Sequence, residues 1–334
     1  MRKIRWGVLG VAKIATEKVI PAMQLGQWCE VTAIASRDLE KARAAAARLG
    51  ISTPYGTYDD LLADKDVDAI YNPLPNHLHV PWTIKAAERG KHVLCEKPIA
   101  LSADEARQLV AVRDRTGVKI QEAFMVRTHP QWLKVKDLVS GGRIGDVRSI
   151  LGVFGYTNRD PANIRNRREF GGGALMDIGC YLVNASRFIF GREPLRAMGA
   201  VERDPEMGTD RLTSILLDFG TGHSAGSCST QMVPSQHLQI FGTAGRIELP
   251  IPFNAPPDRP NRIIVDTGTD LFGGGISQLD IGVCNQYTIQ GDLFSKSILD
   301  DAEVVLALED AVRNMACIDA IFTSAETGRW EVPQ

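Results

Sequence analysis

The sequence predicts two domains, an α/β domain with a parallel sheet over residues 1–123 and an α+β domain with a mostly antiparallel sheet over residues 124–334. The length of 334 residues is sufficient for two hydrophobic cores. In the first third, short apolar runs alternate with helical patterns, which is typical of βαβ units. Further along, strand-like runs follow one another across short glycine or polar turns, which favours antiparallel pairing.

The elements of the first domain alternate along the chain. Apolar runs predict strands at 4–9, 31–35, 67–71, 92–95 and 118–120. Helical periodicity and capping residues predict helices at 13–25, 39–49, 77–89 and 103–116. Asp38 caps the second of these helices, and Ser102 with Glu105 forms a capping box at the start of the fourth. Strands joined in this way form one parallel sheet with right-handed crossovers.

The second domain is predicted to combine a few helices with many strands. Helices are expected at 130–140, 174–190 and 302–326. Strands are expected at 147–154, 197–201, 212–219, 223–230, 237–241, 246–249 and 263–265. The Pro-rich stretch 254–260 is expected to be a loop.

Composition and charge exclude several classes of protein. Hydrophobic residues make up 44% and charged residues 23%, which supports a packed core and excludes a disordered chain. The net charge of −2 argues against nucleic acid or an anionic membrane as a partner. The longest stretch without a charged residue, 219–245, is rich in Gly, Ser, Thr and Gln, so we expect no membrane span and a cytoplasmic location.

The six cysteines are predicted to be reduced thiols, and no metal site is expected. They lie at positions 29, 95, 180, 228, 284 and 317, and no two are closer than 33 residues. This spacing excludes the Cys-x-x-Cys pairs that are typical of zinc sites. Isolated cysteines in a long chain are usually reduced core residues in a cytosolic protein.

A glycine turn between the first strand and the first helix predicts a dinucleotide site. Residues 10–15, Gly-Val-Ala-Lys-Ile-Ala, match the G-x-G-x-x-G/A pattern with alanine at the second position. Gly10 permits the tight turn, and Ala12 lies where the backbone must approach a pyrophosphate. Lys13 and Ile14 begin the helix whose amides and dipole attract phosphate. The strand–turn–helix–strand context favours this interpretation over a turn without a ligand.

The end of the second strand favours NADP over NAD. An NAD site usually has an acidic residue here that accepts from the ribose 2′-hydroxyl. This chain has Ser36 and Arg37, which suit a 2′-phosphate, and Lys41 lies one helical turn further on. The alternative is a solvated polar loop in front of the helix.

Two further motifs carry groups suited to catalysis. Glu96, Lys97 and Pro98 follow the strand at 92–95, where an open parallel sheet binds its ligands. Pro98 restricts Lys97 to extended backbone, although a surface lysine fits the spacing equally well. Asp177 and Tyr181, after three glycines, share one face of a helix at i and i+4. That pair suits proton transfer, and it also fits a core tyrosine bonded to a neighbouring carboxylate.

In combination, these motifs resemble the glucose–fructose oxidoreductase / inositol dehydrogenase (Gfo/Idh/MocA) family. The resemblance extends over essentially the whole chain and rests on four segments in order: 10–15, Asn-Pro-Leu-Pro-Asn-His-Leu-His at 72–79, Glu-Lys-Pro at 96–98, and Asp-Ile-Gly-Cys-Tyr at 177–181. It implies a Rossmann domain followed by a domain with an open-faced sheet, through which family members commonly form homodimers or higher oligomers. The tyrosine at position 181 is similar to the NADP-preferring branch, whereas the inositol dehydrogenase branch usually carries histidine there.

The resemblance also implies roles for individual residues. It makes Lys97 and Tyr181 the catalytic pair, with Asp177 orienting the substrate or the lysine. It adds Pro73, Leu74, Asn76, His79 and Glu96 to the cofactor-binding residues. Arg127 and His129 are expected to line the substrate pocket, although a lone histidine is more often structural, and Arg165 is expected to contact the cofactor or the substrate.

The expected activity is hydride transfer between the nicotinamide and a hydroxyl or carbonyl carbon of a sugar or related cyclic polyol. Tyr181 would act as general acid or base and Lys97 would assist it. Two alternatives stay open at this point. One is an enzyme that keeps NADP bound and shuttles hydride between two sugars, and the other is a non-catalytic sensor that retains the nucleotide fold.

Overall fold

The computed structural model describes residues 2–334, which divide into two compact units. The first unit comprises the chain up to Met125 together with Asn285–Val312, and the second comprises Val126–Cys284 and Arg313–Gln334. The first division lies close to the predicted one at residue 123. The sequence analysis assigned residues 285–312 to the second domain, whereas in the structure they pack with the first unit.

The first unit contains a six-stranded, entirely parallel sheet, as predicted. Its strands are β1 (Ile4–Leu9), β2 (Cys29–Ala35), β3 (Thr53–Tyr55), β4 (Ala69–Asn72), β5 (His92–Cys95) and β6 (Ile120–Glu122). The order across the sheet is β3-β2-β1-β4-β5-β6, so the chain winds outward in both directions from β1. β3 was not predicted, because its three residues are partly exposed and form no apolar run.

Helices of the first unit follow the predicted alternation. A π-helical turn, Ala15–Val19, continues as α1 (Ile20–Gln24), and the next helices are α2 (Leu39–Leu49), α3 (Tyr58–Ala63), α4 (His79–Glu88) and α5 (Ala103–Thr116). The predicted caps are observed at Asp38, which accepts from the amides of Glu40 and Lys41, and at Ser102, which accepts from the Glu105 amide, although the Glu105 carboxylate accepts from the amide of Leu101 and not from that of Ser102. The short helix α3 was missed.

The second unit is built on an eight-stranded sheet that is mostly antiparallel, as predicted. Its strands are β7 (Val147–Thr157), β8 (Arg196–Arg203), β9 (Asp210–Asp218), β10 (His223–Ser229), β11 (Gln231–Gly242), β12 (Arg246–Leu249), β13 (Asn261–Asp266) and β14 (Ile276–Ile281). The order is β14-β13-β12-β11-β7-β10-β9-β8, and β7 and β10 are parallel neighbours. On β7, Ile150 and Phe154 are buried whereas Leu151 is 45% exposed, so one face of the sheet is open.

Four helices follow β6 along the chain. They are α6 (Pro130–Ser140), α7 (Cys180–Phe190) preceded by a π-helical turn at Leu175–Gly179, α8 (Gln286–Leu299) and α9 (Leu308–Thr327). The predicted helix at 302–326 is wrong at its start, because residues 302–307 are not helical and the helix begins only at Leu308. The prediction also missed the edge strand β14, whose residues are mostly exposed.

The missed helix α8 explains why residues 285–312 belong to the first unit. Phe294 packs against Trp6 with ring centroids 5.6 Å apart, and Ser295 accepts a 3.0 Å hydrogen bond from the Trp6 indole. Gly291 lies in the middle of the helix, where glycine normally weakens helical structure. A Cβ there would come within 2.9 Å of Met23, so the glycine permits close packing on α1.

No helix among residues 2–334 is long and apolar enough to cross a lipid bilayer. All six cysteines lie within this range and none of them forms a disulfide, with five buried and Cys284 partly exposed.

Candidate active site

The turn after β1 has the geometry of a phosphate cradle. Gly10 has a φ of +84°, and its amide donates a 2.8 Å hydrogen bond to the Ala35 carbonyl. A Cβ at Gly10 would lie 3.1 Å from Leu74, so a side chain would fill the space above the turn. Ala12 and Ile14 are partly buried and Lys13 is exposed, directly before the π-helical turn. This space and the helix start fit the pyrophosphate of a dinucleotide.

The end of β2 carries three polar donors beside the Asp38 carboxylate, whose Oδ2 lies 3.8 Å from Lys41 Nζ. Ser36 is partly exposed, and Arg37 and Lys41 are exposed. The nearby Asp38 carboxylate caps α2, accepting from two backbone amides at 3.1 and 3.3 Å. A hydroxyl and two cations fit a 2′-phosphate better than a free 2′-hydroxyl.

Tyr58, at the start of α3, lies next to both the Gly10 turn and Arg37. It was not predicted from the sequence as a site residue. Its hydroxyl oxygen lies 3.6 Å from the position that a Cβ at Gly10 would occupy. Burial raises the pKa of the Tyr58 phenol, and the charge and hydrogen bond of Arg37 act in the opposite direction. The Trp82 ring packs edge-on against it, with centroids 4.9 Å apart. No local signal marks Tyr58, because the turn and Arg37 are both distant in sequence.

The segment after β4 is fixed by its own polar side chains. The Asn72 amide nitrogen donates to the His79 carbonyl at 3.1 Å, and its oxygen accepts from the amide of Leu74. The His79 ring is 1% exposed, and its nitrogens lie 2.7 Å from the carbonyl of Pro98 and 2.6 Å from that of Leu74. Burial lowers the pKa of His79 to about 4, against the opposing effect of the two carbonyls. His79 therefore links the 73–78 loop, which includes Pro73 and Asn76, to the loop after β5.

Lys97 lies just beyond the carboxyl end of β5 and follows Glu96, whose carboxylate is held by two hydrogen bonds. Glu96 accepts a 2.6 Å hydrogen bond from the buried Tyr71 hydroxyl, and its other oxygen accepts from the Lys97 amide at 3.3 Å. Burial, followed by the charge of Glu96, holds the pKa of Tyr71 well above its ordinary value. The Lys97–Pro98 peptide bond is cis. Four strand ends thus bring the predicted cofactor residues of the first unit to one edge of the sheet.

In the second unit, the predicted glycine-rich entry permits close backbone packing. A Cβ at Gly172 would lie 2.4 Å from the Arg165 carbonyl, and the Gly173 amide donates to that carbonyl at 2.8 Å. Gly179 faces Cys228 of β10, where a Cβ would come within 2.7 Å of the sulfur. The glycines therefore set the path of the helix that carries Asp177 and Tyr181.

Asp177 is held by two side chains from different segments. Its Oδ2 accepts a 2.6 Å hydrogen bond from the Tyr156 hydroxyl and a 3.0 Å bond from Arg165 Nε. Burial, and then the charge of Asp177, raise the pKa of the Tyr156 phenol above its ordinary value. The sequence analysis selected Asp177 and Arg165 but missed Tyr156. It lies 21 residues before Asp177, on a strand whose pattern alone gives no indication of a site.

Tyr181 lies one turn beyond Asp177 in an aromatic environment. The residue is 5% exposed, and its ring packs against Phe154 and Phe253 with centroids 5.8 and 5.4 Å apart. A largely apolar surrounding strengthens electrostatic effects on the phenol.

The other predicted substrate residues have defined local contacts. The Arg127 guanidinium lies 4.4 Å from the centre of the Phe188 ring, and its Nη1 is 3.5 Å from Asn184 Oδ1. His129 is 1% exposed and caps α6, since its Nδ1 accepts from the Gln131 amide at 3.0 Å. Its Nε2 lies 3.3 Å from Cys284 Sγ, and burial lowers the pKa of the imidazole to about 4. These contacts give His129 a structural role in the second unit.

The predicted residues form one group in each unit. The first unit holds the glycine turn, the Ser36–Lys41 donors and Lys97, and the second holds Asp177, Tyr181, Arg165, Arg127 and His129. Across residues 2–334, no three His, Cys, Asp or Glu side chains are arranged to hold a metal ion. A doubly wound sheet with a phosphate-cradling turn, followed by a second unit with a phenol and a carboxylate on one helix face, defines the class of two-domain nicotinamide-dependent oxidoreductases.

The chain belongs to the Gfo/Idh/MocA oxidoreductase family. Residues 4–124 match the family model described as an oxidoreductase family with an NAD-binding Rossmann fold, and residues 132–248 match the GFO/IDH/MocA C-terminal domain. The resemblance seen in the sequence motifs is confirmed, and the chain is an enzyme of the oxidoreductase class.

Individual relatives are similar over nearly their whole length. The chain is 48% identical over 332 residues to an oxidoreductase of Rhizobium meliloti, with 99% of each chain covered. It is 37% identical to D-xylose 1-dehydrogenase (NADP(+)) 2 of Haloferax volcanii, covering 97% of this chain and 98% of that protein. The crystal structure of KijD10, a 3-ketoreductase from Actinomadura kijaniata in complex with NADP and TDP-benzene, superimposes with a TM-score of 0.90 at 29% identity, covering 97% of this chain and 98% of that one.

Proposed function

We propose that this protein is an NADP-dependent oxidoreductase that acts on a hydroxyl or carbonyl carbon of a sugar or a related cyclic polyol. The observation that carries the proposal is the pair on one helix face, a buried phenol at Tyr181 and a fixed carboxylate at Asp177. Relatives named as a D-xylose 1-dehydrogenase and a 3-ketoreductase support the substrate class. When bound, the nicotinamide supplies the carbon that gives or receives hydride.

The donor set at the end of β2 supports NADP. Ser36, Arg37 and Lys41 would hold the 2′-phosphate, while Asp38 caps α2 through Oδ1 and pairs with Lys41 through Oδ2. The Gly10 turn with Ala12, Lys13 and Ile14 would hold the pyrophosphate. Pro73, Leu74, Asn76, His79 and Glu96 would shape or line the remainder of the cofactor site.

Tyr181 is the proposed proton donor and acceptor, with Lys97 as its electrostatic partner. An ordinary phenol with a pKa of about 10 is phenolate in about one molecule in a thousand at neutral pH. Lowering such a pKa by about three units requires roughly 4 kcal/mol of differential stabilisation. A cation lowers the pKa of a phenol on which it acts, and this is the effect proposed for Lys97. In the reductive direction the phenol donates its proton to the substrate oxygen.

Asp177 is the proposed substrate-orienting residue. Its Oδ2 accepts from Tyr156 and Arg165, which fixes the carboxylate on the helix that also carries Tyr181, and a carboxylate held in this way is suited to accept from a sugar hydroxyl. Arg165 itself, with its side chain 41% exposed, and the partly exposed Arg127 are proposed to add further donors. His129 would contribute indirectly, through the start of α6.

Homo-oligomerisation and a cytoplasmic location are also proposed. The open face of the eight-stranded sheet exposes apolar side chains such as Leu151, which supports a face-to-face homodimer. Six cysteines without a disulfide are typical of a reducing compartment.

The proposed activity is tested by following absorbance at 340 nm while a panel of aldoses and polyols is added with NADP or NAD. We expect reduction of NADP with at least one sugar and weaker reduction of NAD. Reduction with NAD alone would contradict the cofactor assignment. Copurified cofactor with no net change for any single sugar would instead indicate hydride transfer between two sugars.

A further inference from the structure

Asp210, the first residue of β9, is a buried carboxylate that binds the start of a helix in another segment of the chain. The residue is 1% exposed. Its Oδ2 accepts a 2.7 Å hydrogen bond from the backbone amide of Leu175 and a 2.8 Å bond from the hydroxyl of Thr213. Leu175 begins the π-helical turn that carries Asp177, so a strand residue 35 positions away in sequence binds the start of this helix.

The helix has no side-chain cap of its own, so the contact with Asp210 is not duplicated by a neighbouring residue. Ala174 precedes the π-helical turn and has no side chain able to accept from the first amides. The first amides of a helix have no intrahelical partner, and a negative charge there is stabilised by the helix dipole. Asp210 supplies that charge from the neighbouring sheet.

Gly173 shows how closely Asp210 fits against the helix start. This glycine has a φ of +123°, a conformation that L side chains rarely adopt. A Cβ there would lie 1.8 Å from Asp210 Oδ1. The carboxylate is therefore packed against the backbone on one side and hydrogen-bonded to it on the other, which fixes both the position and the rotation of the first turn.

The rotation of this turn determines where the proposed site residues point. Asp177 is two residues beyond Leu175, and Tyr181 is one turn further, past the end of the π-helical turn. A helix turns by about 100° per residue, so a shift of one residue in the first turn would move both side chains to another face. π-helical turns occur frequently at functional sites.

We propose that Asp210 is a positioning residue, which holds the helix start so that Asp177 and Tyr181 keep their orientation. The expected effect on kcat rests on the proposed function, whereas the role of Asp210 in holding the helix start does not. Asp210 does not touch the reacting atoms in this account. Burial raises the pKa of Asp210 to about 6, while the hydrogen bonds from Leu175 and Thr213 act in the opposite direction.

The test compares Asp210→Asn and Asp210→Ala with a control on the same strand, Asp218→Ala. Asparagine keeps an oxygen that accepts from Leu175 but loses the charge, whereas alanine loses both. Asp218 caps a different turn, accepting from the Gly220 amide and from Arg196, both at 2.8 Å. Hydrogen exchange of the backbone amides in 175–181 is measured without sugar, and turnover and NADP affinity are measured separately.

For Asp210→Ala we expect amide exchange in 175–181 to accelerate at least about tenfold and kcat to fall by about tenfold or more, because a hydrogen bond to a charged group is lost. KM and the Kd for NADP should change by less than about threefold, and Asp210→Asn should recover part of kcat. Asp218→Ala should leave exchange in 175–181 and kcat unchanged.

Two results would overturn the proposal. One is unchanged exchange in 175–181 in both Asp210 variants, and the other is an equal effect of Asp218→Ala. Because amide exchange is measured without substrate, failure of the proposed enzymatic function can be distinguished from failure of the proposed role of Asp210. Wild-type protein that turns over no sugar, with exchange still accelerated in Asp210→Ala, would reject the activity while upholding the positioning of the helix.

Discussion

The Tyr156 hydroxyl donates a 2.6 Å hydrogen bond to the Asp177 carboxylate, joining strand β7 to the helix of the candidate site. Arg165 approaches the same oxygen, so the carboxylate is fixed by a phenol and a guanidinium. A carboxylate bound in this way keeps its orientation on the helix.

Replacing Tyr156 should therefore affect sugar binding. We expect Tyr156→Phe to raise KM for the sugar several-fold and to lower the unfolding free energy by about 1–2 kcal/mol through the lost hydrogen bond. Steady-state kinetics and urea unfolding measure the two effects. Tyr55→Phe is the matched control, because the Tyr55 hydroxyl donates to Asp64 at 2.9 Å in the first unit. An unchanged KM in Tyr156→Phe, or an equal rise in the control, would contradict the role of Asp177.

The choice of cofactor should depend on Arg37. We expect Arg37→Ala to weaken NADP binding by about tenfold or more, the effect of losing a charge-assisted bond to phosphate, and to leave NAD binding unchanged. Calorimetric titration with both cofactors measures the ratio. Arg43→Ala is the control, since Arg43 is a nearby exposed arginine on α2, the helix that follows Arg37, and pairs with Glu40 at 2.7 Å. Equal loss of NADP and NAD affinity in Arg37→Ala would reject the 2′-phosphate contact.

Much of the first unit could be predicted because its signals are local. Strand β1, helix α2 with its Asp38 cap, and helix α5 with its capping box have the predicted bounds. The Gly10 turn and the Asp177–Tyr181 helix are likewise marked by contiguous residues. Such signals need only a short window of sequence.

The missed features depend on contacts between distant segments. Helix α8 contains Gly291, which allows close packing on Met23, and no local pattern shows this contact. Tyr156 and Asp210 reach the helix of the candidate site from strands 21 and 35 residues away from their partners. The alternating pattern of a strand is the same whether or not one of its residues contacts a functional site.

His129 should behave as a neutral structural histidine. Its Nδ1 accepts from the Gln131 amide, so the proton of the neutral ring is on Nε2. With its pKa lowered to about 4 by burial, the ring should not titrate between pH 8 and pH 5. Nitrogen-15 NMR of labelled histidine measures both properties. Titration near pH 6.5 or an Nδ1–H tautomer would contradict the cap.

The same shift has a consequence for stability. An unfolded histidine takes up a proton near pH 6.5, whereas folded His129 does so only near pH 4. Its contribution to stability is therefore present above pH 6.5 and is lost as the pH falls towards 4.

Asp210 should make the opposite contribution. Its folded pKa of about 6 lies above the value of about 3.9 in an unfolded chain, so its stabilising effect is present below pH 4 and is lost as the pH rises through 6. Relative to Asp210→Asn, the unfolding free energy of the wild type should fall by roughly 3 kcal/mol between pH 4 and pH 7. Urea unfolding of both proteins at several pH values measures the difference. A difference that is constant with pH would show that Asp210 has an ordinary pKa.

Steady-state turnover of Tyr181→Phe, measured together with its affinity for NADP, tests the central claim most directly. We expect kcat to fall by about 10²-fold or more with NADP binding intact, because the substitution removes only the proton-transferring hydroxyl. Turnover within twofold of wild type would contradict the account and would transfer the acid–base role to Asp177.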